Sequence, residues 1–366
     1  MSDHEQLLHL ASAPFEAARR VRILPPEHPS RRLHGHSFLA KLRLPAVPGQ
    51  ALRGDEPEAL QARLRAAVAA LDYRDLNELL EVPTDENLAR WLRARLDAPE
   101  GAVLGVQSTR EQGVDLDRRE RAHVWRRFRF EAAHQLPHVP AGHQCGRMHG
   151  HGFEVILHAA VDMPDEELGV DYDLLGELWA PLQARLHLRC LNDIPGLENP
   201  TSEVLAGWIW RELKPRFAAL SWVSVYETAT AGCHFDGRRY SIWKEQRFES
   251  ALRLTRVAEG DPRRALHGHS YLLRLHLSAP LDAVLGWTVD YGEVKALFKP
   301  FYAQLDHHTV SDLPGIGEEG SAGIARWVRQ ELSPSLPQLD RVDVFEQPGC
   351  GVALAWGAER SPILPV

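Results

Sequence analysis

The tripeptide His-Gly-His occurs three times, at His34-Gly35-His36, His149-Gly150-His151 and His267-Gly268-His269, and the copies stand 115 and 118 residues apart. Each copy opens an apolar run suited to a β-strand. Successive side chains of a strand alternate faces, so the two histidines of each copy point the same way, as two ligands of one metal must. A repeat at this period means three related units, so each segment has two counterparts elsewhere in the chain. Matching openers support that register: Phe15-Glu16-Ala17-Ala18, Phe130-Glu131-Ala132-Ala133 and Phe248-Glu249-Ser250-Ala251. The predicted units are 1–120, 121–240 and 241–366.

The middle unit is the most legible. Alternating runs at 124–136 and 153–161 predict strands, and the spacing of Leu174, Leu175, Leu178 and Leu182 predicts a helix within 171–192. Pro200-Thr201 suits a helix start, with the helix running over 202–217. Residues 222–228 read as a third strand, and 233–236 begin a fourth element. The third unit repeats the order with strands at 243–257, 270–277 and 342–345 and helices at 290–305 and 321–332. The first unit is shorter, with strands near 14–24, 37–44 and 101–108 and helices near 57–71 and 85–96. The predicted class is α+β, each unit ββααββ.

Composition narrows the function. A net charge of -8 argues against a general nucleic-acid binder, although arginine pairs such as Arg31-Arg32, Arg126-Arg127 and Arg263-Arg264 occur. No apolar stretch approaches the roughly 18 residues needed to span a bilayer. Residues 1–10 lack the basic head and apolar core of a secretion signal. Four cysteines in 366 residues do not form a disulfide framework, so the expectation is a cytoplasmic protein with reduced thiols.

In the middle unit His134 ends the strand that begins FEAAH, and His149 and His151 follow on the next strand. Three imidazoles converging from paired strands leave a fourth tetrahedral position open, as in a catalytic zinc site. A lone histidine is more often a satisfied core residue; this triple in strand context favours metal. Cys145 precedes His149 by four residues and is a fourth ligand, a filler or a reactive thiolate.

Together, FEAAH, Cys145 with His149-Gly150-His151, Val170-Asp171-Tyr172, Leu191-Asn192, Pro200-Thr201 and Tyr226-Glu227-Thr228 make this unit resemble 6-pyruvoyl-tetrahydropterin synthase. It is equally similar to the 6-carboxytetrahydropterin synthase of queuosine biosynthesis. The resemblance implies the tunnelling fold, in which three subunits close their sheets into a twelve-stranded barrel with helices outside and two such barrels usually stack. Three units in one chain would make one barrel, a covalent pseudo-trimer that is monomeric or a homodimer.

By the same resemblance zinc falls on His134, His149 and His151, the catalytic base on Cys145 and the pterin anchor on Glu227. The family's Asp-His pair is replaced in the middle unit by His187-Leu188, and leucine relays no proton. The third unit keeps Asp306-His307 and a second candidate anchor, Glu346, yet has Leu252 for the zinc histidine and Arg263 for the cysteine. The first unit has Arg19, Ser30, Asp72-Tyr73 and Gln107 at these positions. Because the family's sites lie between neighbouring units, the expectation is one complete site per chain, with zinc and Cys145 from the middle unit and Asp306-His307 from the third. One zinc per chain follows. The implied substrate is 7,8-dihydroneopterin triphosphate, with Arg147 a candidate for its phosphates. The implied reaction is that of a lyase forming 6-carboxytetrahydropterin and acetaldehyde. The alternatives are a 6-pyruvoyl product or a non-catalytic zinc- and pterin-binding scaffold.

Overall fold

The computed structural model describes residues 5–163 and 168–356. The ends of the expected first and third units, 1–4 and 357–366, lie outside the described residues. The strands of the first unit are β1 (Gln6–Arg19), β2 (His34–Pro45), the two-residue β3 (Arg74–Asp75), β4 (Val103–Thr109) and β5 (Gln112–Leu116). Those of the second are β6 (Ala122–His134), β7 (His149–Val161), the two-residue β8 (Arg189–Cys190), β9 (Leu220–Thr228) and β10 (Ala231–Phe235). The third contributes β11 (Tyr240–Leu252), β12 (His267–Ala279), β13 (Leu339–Gln347) and β14 (Cys350–Ala355). Helices α1 (Glu56–Val68) and α2 (Asp85–Arg95), α3 (Tyr172–Leu186) and α4 (Ser202–Leu213), and α5 (Tyr291–Leu305) and α6 (Ser321–Leu332) fall in pairs between the second and third long strands of each unit.

Twelve long strands run antiparallel in one sheet, and β14 pairs with β1, so the sheet closes into a barrel. The units are joined by equivalent seams, β5 with β6, β10 with β11 and β14 with β1. Closure removes the exposed sheet edges that invite aggregation. The two-residue strands β3 and β8 lie parallel to β1 and β6 at one rim, where a single bridge, Ala251 with Thr309, stands in the third unit.

Alternation along the strands sorts the residues into two shells. On the outer face, Val155, Leu157, Val223, Val225, Leu273 and Leu275 pack beneath the helices in one continuous core. The intervening positions face the barrel axis and carry buried ionisable groups that pair with one another. Arg43 meets Asp115 at 3.6 Å, His276 meets Asp343 at 2.9 Å and Arg274 meets Glu245 at 2.6 Å. Buried charges persist only when paired in this way. No helix among the described residues is long and apolar enough to cross a membrane.

Candidate metal and catalytic site

The hairpin β6–β7 places the three histidines. His134 pairs with His149 across the ladder and Ala132 with His151. The ring centroids of His134, His149 and His151 are 4.5 to 5.2 Å apart. Phe153 forms the floor, meeting His134 and His151 edge-on at 5.5 Å. His134 Nδ1 lies 2.9 Å from the Pro200 carbonyl and His149 Nδ1 lies 2.7 Å from that of Arg147. Each contact fixes the Nδ1–H tautomer and leaves an Nε2 lone pair for a metal, the usual support for ligating histidine.

Glu227, on β9, completes the cluster: one donor atom from each of the four residues lies within 4.8 Å of the others. Its Oε1 is 3.1 Å from His151 Nε2 and 3.5 Å from His134 Nε2, and its Oε2 accepts a 2.9 Å hydrogen bond from Ser202 Oγ. Despite that closeness, His134 Nε2 and His151 Nε2 are buried without a properly directed hydrogen bond. Orphaned buried acceptors of this kind cost free energy unless something else satisfies them. A zinc ion fits: three imidazole donors converge with spacing suited to one ion, and Glu227 stands beside them. Burial pushes the Glu227 carboxyl up, but attraction to His134 and His151 outweighs it and holds the group well below the usual carboxylate range.

His149, His151 and Glu227 line a cavity of about 570 Å³ between the second and third units. Cys145 and Arg147 reach it from the β6–β7 loop, and Lys244, Trp287, Asp290 and Tyr291 reach it from the third unit. Cys145 sits in a 3-10 turn, Gln144–Gly146, whose N-cap is His143. The Cys145 N–H donates to His143 Nδ1 at 3.2 Å, and His143 Nε2 contacts Asp290 Oδ2 at 3.1 Å. The cysteine is thus positioned across the junction. Burial, then Glu227 and Asp290, push its thiol up from the ordinary value.

His143 and Asp290 were missed from the sequence. The signals were available: His28 and Asp261 cap the equivalent turns, and Val289-Asp290-Tyr291 repeats Val170-Asp171-Tyr172. The same turns put Ser30 and Arg263 two residues after the cap, in the place of Cys145.

Asp306 and His307 do not line this cavity. They sit at the end of α5, where Asp306 Oδ1 accepts from the Glu249 N–H at 2.9 Å and Oδ2 meets His307 Nδ1 at 2.9 Å. The His307 side chain is 79% exposed and borders an open depression beside the third unit's own His269. A complete site of zinc, Cys145 and Asp306-His307 is therefore not assembled within one chain. Glu346 also lies elsewhere, at the junction of the third and first units, where Ser321 Oγ donates to it at 2.5 Å.

Strand register corrects one assignment in the first unit. Leu39 pairs with Gln107 as Glu154 pairs with Tyr226, so Ser108, not Gln107, is the counterpart of Glu227. The place of the three-histidine cluster is filled differently here. Arg19 occupies the place of His134, its guanidinium lies over Phe38 at 5.0 Å, and it bonds buried Asp85 at 2.6 Å. Ser108 and Tyr172 also donate to Asp85, at 2.8 and 2.6 Å.

Comparison with known proteins adds an independent line. A family model described as 6-pyruvoyl tetrahydropterin synthase matches three times, over residues 11–110, 123–238 and 241–355. A curated 6-carboxy-5,6,7,8-tetrahydropterin synthase from Synechocystis is 38% identical over 125 residues, 32% of this chain and 95% of that protein. Dihydroneopterin monophosphate aldolase from Pyrococcus furiosus is 34% identical over 113 residues, 29% of this chain and 92% of that protein. Among solved structures, the Caenorhabditis elegans 6-pyruvoyl tetrahydropterin synthase aligns with 31% of this chain and 94% of its own, at 20% identity and a TM-score of 0.30. About one unit's length of this chain corresponds to nearly the whole of each of the two curated relatives.

Proposed function

The chain belongs to the 6-pyruvoyl tetrahydropterin synthase family, and we propose that it is a zinc-dependent pterin synthase with one working site, at the junction of its second and third units. The proposed reaction converts 7,8-dihydroneopterin triphosphate and water to 6-carboxytetrahydropterin, acetaldehyde and triphosphate, a step in queuosine biosynthesis. The observation that carries this reading is the cluster of His134, His149, His151 and Glu227 beside a cavity of about 570 Å³ that Cys145 also lines, a size suited to a small polar ligand. The 38% identity to a protein named 6-carboxytetrahydropterin synthase favours the carboxy product over the pyruvoyl one.

His134, His149 and His151 would hold zinc, which when bound supplies Lewis-acid polarisation of oxygens on the substrate side chain. Cys145 Sγ is the base for a carbon-bound proton of that side chain. Its raised pKa keeps it a thiol at neutral pH until positive charge enters the cavity. His143 and Asp290 hold its turn in register. Glu227 accepts pterin N–H groups in bidentate fashion, a geometry natural to a carboxylate. Glu346 lies at another junction and is not the anchor of this site. Arg147 and Lys244 are the cations available to the phosphates.

We assign the acid-base role of Asp306-His307 to a neighbouring barrel in a homodimer stacked end to end, because His307 is exposed at a rim rather than turned toward Cys145. The separation also favours a second reading, a zinc- and pterin-binding scaffold without turnover. We assign the protein to the cytoplasm, on the strength of four free cysteines and no pairing among them. His307→Ala tests the main reading. It is expected to lower turnover as far as Cys145→Ala does, with zinc content unchanged; full activity would remove His307 from the mechanism.

A further inference from the structure

The junction of the third and first units repeats the cradle of the zinc site with different donors. His269 stands where His151 does, Glu346 where Glu227 does, and Ser321 bonds Glu346 as Ser202 bonds Glu227. Leu252 replaces His134, pairing with His267 as His134 pairs with His149. The first unit then contributes what the zinc site lacks: Glu58, from the first turn of α1. One donor atom each from Glu58, His269 and Glu346 lies within 4.8 Å of the others.

Carboxyl groups outnumber guanidinium groups at this junction. Four carboxylates gather there, those of Glu58, Glu346, Asp55 and Asp261. Arg263 meets Glu58, Asp261 and Asp55 at 2.5, 2.6 and 3.1 Å, and Arg53 meets Asp55 at 3.1 Å. Two guanidinium groups thus face four carboxyl groups. Glu346 is buried, and among the described residues no ion pair reaches it; Ser321 supplies its hydrogen bonds. Buried Glu346 and half-buried Glu58 repel one another unless a proton or a cation lies between them.

A second observation is independent of the acids. The floor of the zinc cradle is Phe153, and its counterpart here is Tyr271, whose ring lies 5.4 Å from His269. Tyr271 is fully buried and its hydroxyl has no hydrogen-bond partner. The charged groups that bear on that hydroxyl are Glu346 and then Glu58. A hydroxyl added to the floor of a cradle, buried and unpartnered, calls for a polar occupant.

We propose that Glu58, His269 and Glu346 form a second, distinct divalent-cation site at the third–first junction. Two carboxylates and one imidazole make a harder donor set than three imidazoles, so the site takes Mn2+ in preference to the thiophilic metals. Water carried by the cation supplies the partner that Tyr271 lacks. At the remaining junction Arg19 fills the place of His134. The three junctions of one barrel are thereby differentiated into a zinc centre, a carboxylate-rich cation centre and a salt-bridged joint. This inference does not depend on the pterin reaction.

The test uses the full chain carrying His149→Ala and His151→Ala, which disables the zinc cradle, titrated with Mn2+ and followed by the loss of the free-ion electron paramagnetic resonance signal. One Mn2+ per chain is expected. Glu346→Gln or Glu58→Gln should weaken binding at least about tenfold, as loss of a ligand does, with folding checked by circular dichroism. Absence of Mn2+ binding in the doubly substituted chain would overturn the proposal. So would binding that Glu346→Gln and Glu58→Gln leave unchanged.

Discussion

At the scale of single residues, the clearest departures from threefold symmetry are buried charges. Arg19 and Asp85 are both buried and share one 2.6 Å contact. Removing one member of such a pair leaves an uncompensated charge, so Arg19→Ala is expected to cost about 3–5 kcal/mol in urea unfolding. Activity per folded molecule should be unchanged, since this junction is not the working one. Glu86 gives a pH signature. Burial raises its carboxyl to about 7, against a lowering hydrogen bond from the Gly169 N–H. Between the unfolded value, 4.5, and about 7 the folded chain keeps a proton that the unfolded chain has released. The stabilisation is full below pH 4.5 and is lost as pH rises through 7. Glu86→Gln removes this dependence while keeping an acceptor for Gly169. The stability of the variant relative to the parent should therefore rise between pH 5 and pH 8, by about 3 kcal/mol at most. A constant difference would contradict the assignment. Such pairs were not legible in the sequence: Arg19 was visible as a missing ligand, but nothing marked Asp85 as its partner 66 residues away.

At the scale of elements, the His-Gly-His hairpins were readable because a two-residue period and a shared opener fix both strand and register. Helices were readable too, and α6 matches its expected limits, 321–332. The fourth strands of the first and third units were expected but not placed. Residues 112–116 and 350–355 are short, and their place in the barrel depends on partners in a neighbouring unit rather than on local pattern. The expected counterpart of Glu227 in the first unit was one residue off, because the register that places Ser108 there is set by pairing with β2 and not by the local sequence. Helix-capping chemistry explains the overlooked His143: a capping histidine looks like any loop residue until its ring is seen to touch Asp290. If that contact holds the Cys145 turn, His143→Ala should lower kcat/KM on the order of tenfold to a hundredfold through misplacement of the thiol. Metal analysis should find zinc content unchanged; loss of zinc with activity would make His143 a structural support of the metal cradle instead.

At the scale of the whole molecule, covalent fusion fixes which unit meets which. Separate identical subunits would place the same residues at every junction. In this chain the second–third junction has the imidazoles and Cys145, the first–second a salt bridge, and the third–first a carboxylate cluster. Because β14 closes on β1, no sheet edge remains to recruit further copies. Gel filtration is expected to give a monomer or a dimer; a trimer or hexamer of the chain would contradict closure within one molecule. The sequence made the three-unit plan legible, since a 115-residue period is hard to mistake. It did not show that His307 lies beside His269 of its own unit and outside the cavity of Cys145, because that depends on how α5 packs around the barrel.

The central claim is one zinc-dependent pterin site per chain. It is tested most directly by incubating zinc-loaded protein and its Cys145→Ala variant with 7,8-dihydroneopterin triphosphate and identifying products by mass spectrometry. A 6-carboxy product with acetaldehyde, formed by the parent and absent with the variant, is the expected result. No consumption of substrate by the zinc-loaded parent would contradict the account.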